Sequence, residues 1–182
     1  VGQTSDGDYA EPEVADYAEP LADAICAHLA TWVVECVRRT MEAWNGTFPP
    51  EVAFASEVAG QLAVEATGGA LRGLLAADID DQVTTPLALV RSAVKYPTEV
   101  LRQVGVPPVE RDPFAVAAFP DDTYDLSPSA LSDIDPSLAE LGIAWGAAKA
   151  FEHRRRHSDR RQPDPSPGAE QDAVQENELH DP

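Results

Sequence analysis

With its acidic ends set aside, a chain of 182 residues supplies one ordinary domain and is too short for two substantial cores. Its formal charge of −19 sets nucleic-acid phosphates and anionic membrane surfaces against most faces of the body, so a cationic partner or a basic groove on another protein is its natural complement. The opening residues lack a basic n-region and an apolar h-region, and charges break the apolar stretches before about 20 residues. Neither a targeting peptide nor a membrane span is expected, and the compartment read from the sequence is the cytoplasm.

Residues 1–18 are acidic, contain no Lys or Arg, and read as a disordered leader. They hold the start of a repeat, Asp8-Tyr9-Ala10-Glu11-Pro12 recurring as Asp16-Tyr17-Ala18-Glu19-Pro20, whose two copies are too few for a solenoid. The second copy supplies the first turn of a helix with Pro20 near its first position, and Tyr9 and Tyr17 are the anchors if the repeat is a linear motif. From residue 19 to about 44, Leu21, Ile25, Leu29, Trp32, Val33, Cys36, Val37, Met41 and Trp44 recur at three and four, the period of an amphipathic helix. Asn45-Gly46 ends it. Cys26 and Cys36 lie ten residues apart on that helix, roughly 15 Å, which is beyond disulfide reach, so both are expected as reduced thiols.

A second helix is predicted from about 51 to 77, with Phe54, Val58, Leu62, Leu71, Leu74 and Leu75 facing the core. Ala59, Ala63, Ala66, Ala70 and Gly73 form a small-residue stripe, read as an internal packing seam. Asp78-Ile79-Asp80-Asp81 makes a turn, and Thr85-Pro86 opens a third helix through Leu87, Leu89, Val90 and Val94. Pro97 predicts a kink at Tyr96-Pro97, after which the helix resumes to Gly105. The stretch 106–109 is extended, and 110–135 is irregular with short helical turns near 113–119 and 128–131. The last helix takes Asp135 as cap and Pro136 at its first position, then runs through Leu138, Leu141, Ile143, Trp145, Ala148 and Phe151. No period-2 strand is evident. The expected fold is therefore all-α, one helical domain over 19–157 with about four main helices and a proline-kinked third. Residues 158–182 form a disordered tail, basic and then acidic.

The runs Lys95-Tyr96-Pro97-Thr98-Glu99-Val100-Leu101, Gly105-Val106-Pro107-Pro108-Val109-Glu110-Arg111-Asp112, Phe119-Pro120-Asp121-Asp122 and Trp145-Gly146-Ala147-Ala148-Lys149-Ala150 resemble a family of small all-helical proteins of high-GC actinobacteria. The resemblance covers roughly residues 20–155 and is most specific over 86–150. It implies a helical fold and brings no activity with it.

Candidate chemistry is sparse. Asp121-Asp122-Thr123-Tyr124-Asp125 has the letters of the aspartate-rich magnesium motif of prenyl diphosphate synthases, but it follows a proline in a loop and has no second acidic motif to face it. Asp133-Ile134-Asp135 lacks a calcium-loop glycine and closing glutamate, and these aspartates read as caps. His153 and His157 are spaced to share a helix face but have no third ligand in sight. No catalytic, cofactor-binding or metal residue is assigned, and no cofactor is expected.

The best surface candidate is Lys95, Tyr96, Glu99, Arg102 and Arg111, with Glu110 and Asp112, around the proline break, together with the Trp145-Gly146 face. A basic patch of Arg154, Arg155, Arg156, Arg160 and Arg161 follows, with cations suited to a helix C-terminus and no interleaved aromatics for nucleic acid. The function expected is a non-enzymatic interaction module, an adaptor or regulator whose partner is another protein. Nucleic acid and membrane are not expected as partners, and the oligomeric state is left open. The alternatives are a small-molecule binder or enzyme with a cavity between helices, using a buried Glu65, Glu99 or His28, and an acidic nucleic-acid mimic.

Overall fold

The computed structural model describes residues 13–77 and 85–159, and among them all regular structure is helical. The elements are α1 (Val14–Asn45), α2 (Pro50–Ala76), α3 (Pro86–Ser92), α4 (Lys95–Gln103), α5 (Pro113–Ala118), a 3-10 turn (Leu131–Asp133) and α6 (Leu138–Asp159). The all-α expectation holds. The first copy of the repeat, the 78–81 turn, and Arg160 and Arg161 of the basic patch lie outside the described residues.

α1 is the centre of the fold, contacted by α2, α4 and α6. Leu21, Ile25, Leu29, Val33, Val37 and Met41 are at most 2% exposed, an unbroken row at steps of four. Four residues advance an α-helix by about 40° beyond a full turn, so this row sweeps roughly 200° around α1 along its length. Different neighbours therefore cover different stretches of it. Each fully buried Leu, Ile or Val contributes about 1.5–3 kcal/mol by leaving water. Charges interrupt α1 at Asp23, Glu35, Arg38 and Arg39, although by length and composition an 18-residue window of it is apolar enough to cross a membrane; its buried row forms the core of the fold.

The helix starts at Val14 rather than at 19, so residues 14–18 belong to the domain and not to the leader. Asp16 Oδ2 accepts from the Glu13 backbone N–H, and Pro20 lies inside the helix instead of near its start. The carbonyl deprived of its donor belongs to Asp16, which is exposed and can bond water. Gly46 ends α1 as predicted, in the left-handed region at φ 76° with its N–H on Glu42 O at 2.9 Å.

α2 returns antiparallel to α1: Gly60 lies against Ala30, Gly68 against Cys26, and Arg72 reaches Asp23 and Glu19. Its inner face is Ser56, Ala59, Gly60, Ala63 and Thr67, then Leu71 and Leu75, all buried. Two corrections follow. Phe54, Val58 and Leu62 do not face the core but are 68%, 45% and 49% exposed. The small-residue stripe divides, with Ala59 and Ala63 inside and Ala66, Ala70 and Gly73 outside. α1 approaches so closely that only small side chains fit between the two, and the large ones are turned outward. Trp44, also expected on the buried stripe of α1, is 45% exposed, and Ile143 on the last helix is 72% exposed.

Thr85 caps α3 as predicted, its Oγ1 accepting from Ala88 N at 3.1 Å. The break comes at Ala93-Val94, three residues before the proline, because Pro97 occupies the first turn of a new helix, where no N–H is needed. α4 packs on both α1 and α2. α6 begins at Leu138, two residues past the predicted proline, after Asp135 Oδ1 accepts from Ser137 N at 2.9 Å. It packs on α1 and continues to Asp159, so the basic run is helical through its first part.

Candidate functional site

Between α4 and the 3-10 turn the chain makes an irregular excursion over 106–127, and its hydrogen bonds pin it. Tyr124 donates from its hydroxyl to Val106 O at 2.8 Å, and Val109 N donates to Thr123 O at 3.2 Å, tying the outgoing strand of chain to the returning one. Asp122 is fully buried, and its carboxylate accepts from Leu126 N at 2.6 Å and Ser127 N at 2.8 Å. A buried carboxylate is tolerated where backbone donors satisfy it, and this one closes the loop. Burial raises the pKa of the Tyr124 phenol above its ordinary value.

Arg111 holds the middle of the excursion. Its side chain is only 6% exposed, with Nη1 on Phe119 O at 2.9 Å, Nη2 on Ala115 O at 3.1 Å, and Nε facing Asp125 Oδ1 at 3.8 Å. The guanidinium thus caps carbonyls at the C-terminal end of α5, while Asp112 caps its start, accepting from Phe114 N at 2.8 Å. Arg91 secures the far side by donating to Pro128 O at 2.8 Å with its guanidinium over the Phe119 ring. On this braced backbone Phe114 is 83% exposed, with Val109 and Val116 at 45% and 46%. Glu110, Asp112, Asp121 and Asp125 of the same excursion are exposed as well.

The surface residues expected from sequence do not form one site. Lys95 is exposed with Nζ 5.2 Å from the Tyr96 ring centroid, and Tyr96 is half-buried against the core. Arg102 grips Glu99 with two bonds, at 2.7 and 2.9 Å, which holds the Glu99 carboxyl below its ordinary pKa with help from Gln103. Arg111 is a correction: it is an internal brace, not a surface contact. Trp145 is half-buried on α6, its Nε1 3.5 Å from Leu75 O and Lys149 Nζ over its ring at 4.8 Å.

Glu65 and Glu99 are exposed, so neither is the buried polar group of a cavity. His28 Nδ1 lies 3.4 Å from Asp135 Oδ2 at the partly exposed edge of α1. Asp121, Asp122 and Asp125 do not converge, since one is buried in backbone bonds and the others point to solvent, and among the described residues no three potential ligands gather around a metal position. Asp133 is a cap as expected, accepting from Ser129 N and Ala130 N. The two imidazoles of His153 and His157 approach to 2.9 Å between Nε2 atoms on the exposed end of α6, beside Arg154 and Arg155 and the Glu152–Arg156 pair.

The prominence of Phe114 went unread because Pro113–Phe119 had no periodicity to say which side faced water. The one signal was Arg111-Asp112 directly before it, a brace and a cap in sequence. No protein-family model matches the chain, and neither a curated protein nor a solved structure does.

Proposed function

We propose that this chain is a non-enzymatic protein-interaction module of the cytoplasm, an adaptor or regulator, and that it engages its partner through Phe114. The observation that carries this reading is an aromatic side chain 83% exposed on a backbone that a buried arginine, a buried aspartate and a buried tyrosine hold in place. Exposed aromatics on mobile loops lose much of their binding energy to ordering, whereas a braced one does not. Glu110, Asp112, Asp121 and Asp125, exposed on the same excursion, favour a partner whose surface is cationic. Arg111, Asp122 and Tyr124, the groups that might have done chemistry here, are committed to backbone bonds.

The test is affinity purification with the full chain, identification of the recovered protein, and titration of that protein, purified, against wild type and Phe114→Ala. An aromatic anchor predicts at least about 30-fold weaker binding with an unchanged circular dichroism melt. Equal affinity for both would remove Phe114 from the interface. Recovery of a bound small molecule in place of a protein would replace the adaptor reading with a ligand-binding one.

A further inference from the structure

We propose that His153 and His157, on the last turns of α6, form a two-point chelate for a divalent metal that takes nitrogen ligands at right angles, copper(II) or nickel(II). The pair shares no residue with the Phe114 segment, and the proposal does not rest on the reading of that segment.

An α-helix turns by about 100° per residue, so side chains four apart stand within about 40° of each other, one turn along the axis. Two imidazoles at that spacing can reach one point above the helix surface. In the structure they come together: the Nε2 atoms are 2.9 Å apart and the ring centroids 4.2 Å apart, with 63° between the planes. An unprotonated ring nitrogen presents a lone pair, so two of them this close call for a proton or a metal ion that both can share. A straight N–H···N bond would set the centroids about 5 Å apart, and the rings here are bent well away from that arrangement. Two ligands of a single ion meet it at an angle in just this way.

The separation also discriminates among ions. With metal–nitrogen bonds of about 2.0–2.1 Å, ligands at a right angle have their nitrogens about 2.9 Å apart, and tetrahedral ligands about 3.3 Å. The observed 2.9 Å matches the right angle. That geometry belongs to copper(II) and nickel(II), the tetrahedral one to zinc(II), and the general order of affinities puts copper(II) first. Among the described residues no third His, Cys, Asp or Glu joins the pair. Both imidazoles are exposed, so the remaining positions of the ion fall to water.

The three arginines between the histidines in sequence leave their face of the helix clear. Arg154 and Arg156 project about 80° to either side of the pair, and Arg155 projects from the opposite side. Arg156 is drawn away by Glu152. The pair also lies at the C-terminal end of α6, where the carbonyls carry partial negative charge that favours a cation.

Calorimetric titration of the full chain with copper(II), nickel(II) and zinc(II) salts tests this. Copper(II) should bind at one per chain with a dissociation constant of about 1 µM or tighter, nickel(II) at the same stoichiometry but more weakly, and zinc(II) most weakly. His153→Ala and His157→Ala should each weaken copper(II) at least about 30-fold, because the second imidazole binds within the chelate at high effective concentration. The chain's other two histidines are the controls, and His28→Ala and His180→Ala should bind as wild type does. His153 and His157 are exposed helix residues, so the circular dichroism melt of their alanine variants should match wild type. Electron spin echo modulation of the copper complex should report two coordinated imidazoles, and one in either variant. No binding, binding indifferent to either alanine, a single coordinated imidazole in wild type, or zinc(II) bound more tightly than nickel(II) would each overturn the proposal.

Discussion

A Cβ built on Gly60 would stand 2.8 Å from the carbonyl oxygen of Ala30, so at this point the two long helices touch backbone to backbone. Helix propensity alone would make Gly60→Ala stabilising by about 1 kcal/mol. The contact reverses that sign, because the obstacle is main chain and α2 must move outward, at a cost of about 1–3 kcal/mol. Gly146, exposed in the middle of α6 with nothing within 4 Å of its Cβ position, is the control. Gly146→Ala should raise the urea midpoint by the equivalent of about 0.5–1 kcal/mol while Gly60→Ala lowers it. A stabilised Gly60→Ala would mean that the helices do not approach this closely.

Asp122 bears on the excursion that carries Phe114. Asp122→Ala deprives the Leu126 and Ser127 amides of their acceptor inside the protein, and should cost about 2–4 kcal/mol. Asp122→Asn keeps one acceptor oxygen and should cost less. Native-state hydrogen exchange supplies the local readout: in Asp122→Ala, the amides of Leu126 and Ser127 should exchange faster by a larger factor than those of α1.

How much was legible before the structure follows from which forces act locally. Caps and stops are local, and Thr85, Asp112, Asp133 and Gly46 do what their residue types predict, while Asp135 closes a turn ahead of α6 instead of capping it. The buried row of α1 was legible because one wide stripe meets several neighbours. α2 was misread because periodicity gives the faces of a helix and not which face is inside. Size suggested that Phe54, Val58 and Leu62 were core, whereas the approach to Ala30 admits only glycine at position 60 and small side chains beside it. Pro97 marked a break but not its position, since a proline fits the first turn of a new helix as well as the end of an old one. Arg111 read as a surface charge because its acceptors are backbone carbonyls, which have no sequence signature.

Glu35 should contribute to stability in a pH window that can be stated. Its carboxyl accepts from Arg38 at 2.6 and 2.7 Å and also pairs with Arg39, and these bonds hold its pKa down to about 2, from an ordinary value near 4.5. The folded-state pKa is depressed, so the contribution is complete above the unfolded value and is lost as pH falls toward 2. The pair is partly exposed and screened, which limits it to less than about 1 kcal/mol. Glu35→Gln should therefore lower the denaturant midpoint slightly at pH 7 and match wild type near pH 2. A difference that persisted at pH 2 would mean that the side chain acts by packing rather than by charge.

Cys26 and Cys36 are both free thiols on α1, and the structure orders their reactivity. Burial pushes the Cys36 thiol up to about 12, with Arg39 only partly opposing it. Cys26 is also raised by burial, but Arg72 lies close enough to favour its thiolate. Because the thiolate is the nucleophile, a pKa near 12 leaves roughly a thousandfold less of it at pH 8 than an unperturbed thiol has. In a disulfide-exchange assay at pH 8 the native chain should release chromophore in two phases, Cys26 first and Cys36 far slower, merging into one fast phase in denaturant. Cys26→Ala should abolish the faster phase and Cys36→Ala the slower. If Cys36 reacted in the native chain as fast as in denaturant, the middle of α1 would be opening to solvent, and its place in the packed core would be wrong.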